Sequence, residues 1–151
     1  MIYKSQMVVV EIVNDDLLNA KEVIICHQCN CTTSTPAGLA LSIVKKYPSA
    51  DVYKHRTKQS TPGTITLISI DDKRSVIAMF AQINPSYPLN ADSTNARKYY
   101  FQQCLDEIDS MKLNECVAMP YLIGCGMAGG NWNSYLEMLE RCNTNIVLYK
   151  I

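Results

Sequence analysis

The chain has 151 residues, 48% hydrophobic and 19% charged, with 14 basic against 14 acidic side chains and no formal net charge. That length and apolar content suit one folded domain and exclude a disordered chain. The balanced charge argues against a duplex nucleic-acid binder, which needs clustered Lys and Arg, and Lys45-Lys46 fits a solvated helix end better. No segment approaches the roughly 20 apolar residues of a membrane-spanning helix, so no membrane contact is expected. The start, Met1 to Gln6, carries no secretory pattern. Seven cysteines, several of them in apolar runs (Cys26, Cys104, Cys142), then fit reduced thiols in a cytoplasm. Cys26, Cys29 and Cys31 contain a C-x-x-C, but Cys116, Cys125 and Cys142 do not supply a second pair at metal-ligand spacing, so no metal is expected.

In chain order, Gln6 to Val13 is β-branched and apolar, and predicts a buried strand; Val23 to Cys26 predicts a second, short one. Thr35 to Tyr47 predicts a helix, with Thr35 as cap, Pro36 at the first helical position and Pro48 after the end. Gly63 to Ile70 and Ser75 to Gln82 predict strands around the turn Asp71-Asp72-Lys73. Ser93 caps a long helix in which Phe101, Leu105, Ile108 and Met111 recur at helical spacing. Val117 to Ile123 predicts a strand, Trp132 to Arg141 a helix, and Asn145 to Ile151 a closing strand. Strands alternating with helices imply a three-layer α/β/α domain over residues 1–151 with a mixed, largely parallel sheet.

Ligands of open α/β sheets collect at the carboxyl ends of strands, where loops lead into helices. Two such loops stand out, His27 to Gly38 and Gly124 to Gly130, each made of small residues ahead of a helix. Unpaired amides and the helix dipole there attract an anion such as a diphosphate. Gly124, Gly126 and Gly129 also fit G-x-G-x-x-G, but a dinucleotide fold needs a further βαβ unit, for which the residues up to Ile151 leave no room. No Gly-Lys-Ser/Thr follows, and no arginine follows Cys29 or Cys31, so phosphate loops of the Walker and cysteine-phosphatase kinds do not fit. A diphosphate site assembled from two loops remains.

The same residues resemble the macrodomain family. Asp16-Leu17 follows the first strand; Asn30 is followed six positions on by Pro36-Ala37-Gly38-Leu39-Ala40; and Ile123-Gly124-Cys125-Gly126 is similar to the family's second phosphate loop. His27-x-Cys29-Asn30-Cys31, Lys46-Tyr47-Pro48 and the last residues echo the small branch that includes terminal ADP-ribose protein glycohydrolase and the yeast ADP-ribose 1″-phosphate phosphatase. The resemblance implies ADP-ribose or an ADP-ribosylated substrate as partner, no cofactor, and a monomer. It further implies that Asp16, with the Leu17 backbone, meets the adenine and that Asn30 holds the distal ribose. Ala37 and Gly38 would contact the diphosphate, and Gly124, Cys125, Gly126, Met127, Ala128 and Gly129 would wrap its other side. Tyr149 would flank the adenine. Other readings stay open: Asp16 and Asn30 as turn formers, the glycines as turn residues, and His27 as a structural residue.

Departures from the pattern fall on catalysis. Pro36 replaces a glycine and removes an amide donor. The branch's catalytic lysine and aspartate positions fall at Ile83 and Ala128, so a lysyl adduct is not expected. Hydrolysis of a 1″-phosphate or an ADP-ribosyl ester would have to use ordered water with Asn30 orienting the ribose, or His27 as general base. A non-catalytic reader of ADP-ribose is the alternative.

Overall fold

A computed structural model describes residues 10–151. Six strands form one sheet in the order β1-β6-β5-β2-β4-β3. They are β1 (Glu11–Val13), β2 (Ile24–Asn30), β3 (Ile65–Ser69), β4 (Ser75–Gln82), β5 (Val117–Pro120) and β6 (Ile146–Tyr149). Every neighbouring pair is parallel except β3–β4, the hairpin around Asp71, so the sheet is mixed and largely parallel. The portion of the first expected strand before Val10 lies outside the described residues.

Helix α1 (Gly38–Lys46) covers one face of the sheet. Its Ile43 packs with Ile25, Val76, Ala118 and Val147, and its Ala40 with Cys29, Ala78 and Phe80. Helices α2 (Thr94–Ser110) and α3 (Trp132–Arg141) cover the other. There Phe101, Leu105, Ile108 and Leu139 meet Cys26, Ile77, Met79, Met119 and Leu148. This is the three-layer α/β/α arrangement. Period-two alternation along β2 and β4 sends successive residues to the two layers, and each large apolar side chain so buried contributes about 1.5–3 kcal/mol. No helix among the described residues is long and apolar enough to cross a membrane.

Three expectations are corrected. The second strand runs on through His27-Gln28-Cys29-Asn30, because β4 pairs with it as far as Asn30↔Gln82. Helix α1 starts at Gly38, not at Thr35 or Pro36. Thr35 caps nothing, and the N-cap is Ala37 in extended geometry (φ −141, ψ 162) with no side-chain cap. Pro36 biases the residue before it toward an extended conformation, and the Thr33 hydroxyl, whose one hydrogen is shared with Asn30 Oδ1, lies 3.2 Å from the Thr35 carbonyl. Ala37 is extended, and Gly38 then turns the chain at φ +57 into the helix. Strand β5 stops at Pro120, since Ile123 N already turns back to Pro120 O at 3.1 Å. Ser93 and Asn131 cap α2 and α3 through their side chains.

Candidate functional site

The sheet order places the carboxyl ends of β1, β6, β5, β2 and β4 in a row, so the segments leaving them all emerge at one edge of the sheet. At the β1–β6 end Asp16 caps a 3-10 turn over Leu17–Asn19, its Oδ1 accepting from Leu18 N at 2.9 Å. Its other carboxylate oxygen takes no hydrogen bond among the described residues. The turn's own bonding begins with Asn19 N to Asp16 O, which leaves the Leu17 amide over. Asp16, Leu39, Tyr121, Leu122 and Tyr149 line a cavity of about 320 Å³ here. Tyr149 forms part of its buried wall: its hydroxyl donates to Glu22 Oε1 at 2.6 Å and accepts from Lys21 N at 3.2 Å. Burial, then the Glu22 hydrogen bond, push its pKa up. Tyr121 stands edge-on to Trp132 at 5.0 Å, with Lys150 Nζ 4.6 Å from its ring centre.

At the centre, between β5 and β2, two sets of amides are free. Gly38, Leu39 and Ala40 form the start of α1, where helical bonding cannot reach their N–H groups. In the second loop the amides of Cys125, Gly129 and Gly130 are used in turns, to Leu122 O, Gly126 O and Gly124 O. Those of Gly124, Gly126, Met127 and Ala128 have no acceptor among the described residues. Gly124 (φ +76) and Gly129 (φ +84) are required by conformation and by room: a Cβ on Gly124 would lie 2.5 Å from the Tyr135 ring, and one on Gly129 2.7 Å from Pro88. Burial pushes the Cys125 thiol up to about 12, which favours its protonated form.

Asn30 closes β2. Its Oδ1 accepts from Thr32 N, Thr33 N and the Thr33 hydroxyl at 3.0–3.1 Å, so it does form the turn. Its Nδ2 is left as a donor without a protein acceptor among the described residues. Arg56 lies beneath, donating to Thr33 O (2.8 Å) and Asn30 O (3.0 Å) and stacked 5.0 Å from the Tyr53 ring centre. It supplies a positive charge under the first loop without an ion-pair partner among the described residues. His27 does not belong to the cleft. It lies within β2, 1% exposed, its ring 3.6 Å from Cys29 Sγ, and burial pushes its pKa down to about 4. At 1% exposure within β2 its ring nitrogens are shut off from any ligand at the strand ends, and this burial argues against the general-base expectation.

Neither a protein-family model nor a curated protein matches the chain. Solved structures do match. A protein of unknown function from Bacteroides thetaiotaomicron is 22% identical at a TM-score of 0.77, over 95% of this chain and 98% of that one. The DarG macrodomain of Mycobacterium tuberculosis is 19% identical at a TM-score of 0.72, over 95% and 98%. The chain has the macrodomain fold. A third match, Thermosipho africanus DarTG in complex with ADP-ribose, is 13% identical at a TM-score of 0.66, over 93% of this chain and 41% of that one.

On this macrodomain scaffold the structure adds residues that sequence reasoning missed. Arg97 (1% exposed) and Asp92 (2%) form a buried ion pair at 2.8 Å. Asp92 also accepts from Ile83 N and Asn84 N at 3.0 and 2.8 Å. Burial alone would raise the Asp92 pKa, but the Arg97 and backbone hydrogen bonds outweigh it and the net shift is downward. Arg97 donates to the carbonyls of Asn84, Ser86, Tyr87 and Ala128, tying the β4–α2 segment to the second loop. Ile83 and Ala128 thus act through their backbones, Ile83 O accepting from Cys31 N at 2.8 Å.

Proposed function

We propose that this cleft binds ADP-ribose. The observation that carries the reading is the two sets of free amides in the segments that leave the neighbouring parallel strands β2 and β5, with Asp16 toward one end of the row and Asn30 toward the other. A diphosphate offers only acceptors and negative charge, which suits free N–H groups at a helix start and Arg56 below. The adenine amino group is a donor, which suits the open oxygen of Asp16, with the Leu17 amide beside it and Tyr149 in the wall. The distal ribose then meets Asn30 Nδ2. The Thermosipho complex supports the ligand's identity, since a protein of the same fold holds ADP-ribose.

Titrating ADP-ribose and AMP while following the melting temperature tests this. ADP-ribose at a hundredfold excess over its Kd stabilises the folded state by about 2.7 kcal/mol, and AMP, lacking the distal half, binds more weakly. No shift with millimolar ADP-ribose removes the reading.

A second reading, hydrolysis of ADP-ribose conjugates, rests on Asn30, a side chain with an open donor at the end of β2. The loops there hold no group able to act as base, so turnover would use ordered water with Asn30 orienting the ribose. Asn30→Ala would then lower turnover of an ADP-ribosyl ester on the order of a hundredfold while changing ADP-ribose affinity far less. Inert wild-type protein that still binds ADP-ribose leaves the reader function alone.

A further inference from the structure

The segment between β4 and α2, residues 83–92, leaves the carboxyl end of β4 beside Asn30 and runs toward the second loop. It begins beside the first loop, through Cys31 N to Ile83 O, and reaches the second, where Pro88 occupies the space a Cβ on Gly129 would need. A solvent-facing loop is ordinarily held by little. This one is held by Asp92 on two of its amides, by Arg97 on three of its carbonyls and on Ala128 O, and by a Leu89–Asp92 bridge. Ser86 (φ 67) and Asn90 (φ 53) adopt left-handed geometry within it, which disfavours residues with a side chain. What these devices present is apolar and exposed: Tyr87 and Leu89 at 69%, beside Met127 at 60% on the adjoining glycine loop. Residues 83–91 and 121–131 carry no charged side chain. The Arg97 charge is buried against Asp92.

We infer that this segment is a third, rigid wall of the cleft, and that Tyr87 selects ligands whose distal ribose carries a neutral, apolar group, a flat ring above all. This rests on the cleft holding ADP-ribose as proposed. An uncharged platform of Tyr, Leu and Met gains by covering apolar surface and by ring stacking. The wall offers no cation of its own to a further phosphate at the distal ribose, and Arg56 is already engaged with Thr33 O and Asn30 O beneath the first loop. The wall therefore favours a conjugate with a neutral aglycone over ADP-ribose 1″-phosphate. Arg97 is a positioning residue for this wall, and Tyr87 meets only the group carried on the distal ribose, not ADP-ribose itself.

The test is calorimetric titration of the full chain with three probes: ADP-ribose, its phenyl glycoside at the distal anomeric carbon, and ADP-ribose 1″-phosphate. Wild-type protein is expected to bind the phenyl glycoside more tightly than the 1″-phosphate. Tyr87→Ala, at an exposed position, should weaken the glycoside roughly three- to tenfold and leave ADP-ribose within about twofold, the range of one aromatic contact. Tyr87→Phe should restore the glycoside affinity. Equal effects on ADP-ribose and glycoside, no effect on either, or tighter wild-type binding of the 1″-phosphate overturns the inference while leaving ADP-ribose binding intact. Wild-type protein that binds no ADP-ribose overturns the proposed function itself, and this inference with it.

Discussion

Replacing Arg97 tests whether the buried pair holds the cleft's distal half together. Its guanidinium serves Asp92 and four backbone carbonyls from a site 1% exposed. Lysine ends in one nitrogen and cannot reach Ser86 O and Ala128 O on one side while serving Asp92 on the other. Methionine fills the volume but leaves the Asp92 carboxylate buried without its counter-charge. Breaking a buried pair in this way costs about 3–5 kcal/mol. Asp92 keeps its bonds from Ile83 N and Asn84 N, so the lower end, about 3 kcal/mol, is expected for Arg97→Met. Against a total stability of about 5–15 kcal/mol, the variant still folds but unfolds at clearly lower urea. The midpoint should fall with the slope unchanged, and ADP-ribose affinity should fall with it, because Ala128 loses its tether. A variant within about 0.5 kcal/mol of wild type would refute the reasoning.

Asp16→Ala should weaken ADP-ribose and AMP alike by about 1–3 kcal/mol. It should also destabilise the fold by about 1 kcal/mol through the lost cap, and a lowered melting temperature with unchanged affinity would leave Asp16 only its turn role. Gly124→Ala meets both a left-handed φ and the Tyr135 ring, whereas a Cβ on Gly126 meets nothing within 4 Å. Urea unfolding should therefore show a loss above about 1–2 kcal/mol for the first and little for the second, and equal losses would contradict the loop geometry. His27 takes up a proton near its ordinary 6.5 when unfolded but only near 4 when folded. Its contribution is complete above pH 6.5 and is lost as the pH falls toward 4, by about 3 kcal/mol in all. His27→Leu should flatten that part of the stability profile, and an unaltered slope would assign the acid sensitivity elsewhere.

Local signals were legible where local chemistry decides. Ser93 and the spacing of Phe101, Leu105 and Ile108 are sufficient to place α2, and the small residues of 124–130 mark a loop whatever surrounds them. β2 was legible only to Cys26, because His27, Gln28 and Asn30 are polar. Their strand is imposed by β4, more than forty positions away in the chain, as Gln28 Nε2 bonding to Gln82 Oε1 across 54 positions illustrates. Pro36 fits a helix start by composition, yet the helix begins only at Gly38, after an extended Ala37 without a side-chain cap. The Arg97–Asp92 pair is five residues apart, which in a sequence looks like a solvated helix end; its burial depends on Ala128, 31 positions on. Asp16 and Asn30 each proved to be turn formers with a second polar atom to spare, so the structural and the binding readings are both open to the same side chain.

The most direct test of the central claim is a two-dimensional amide NMR spectrum recorded while ADP-ribose is added. The account predicts that the largest shifts fall on Leu17, Gly38, Leu39, Ala40, Gly124, Gly126, Met127 and Ala128, the amides left free around the cleft, with His27 little affected. A spectrum unchanged at millimolar ADP-ribose, or shifts confined to residues away from these loops, would contradict it.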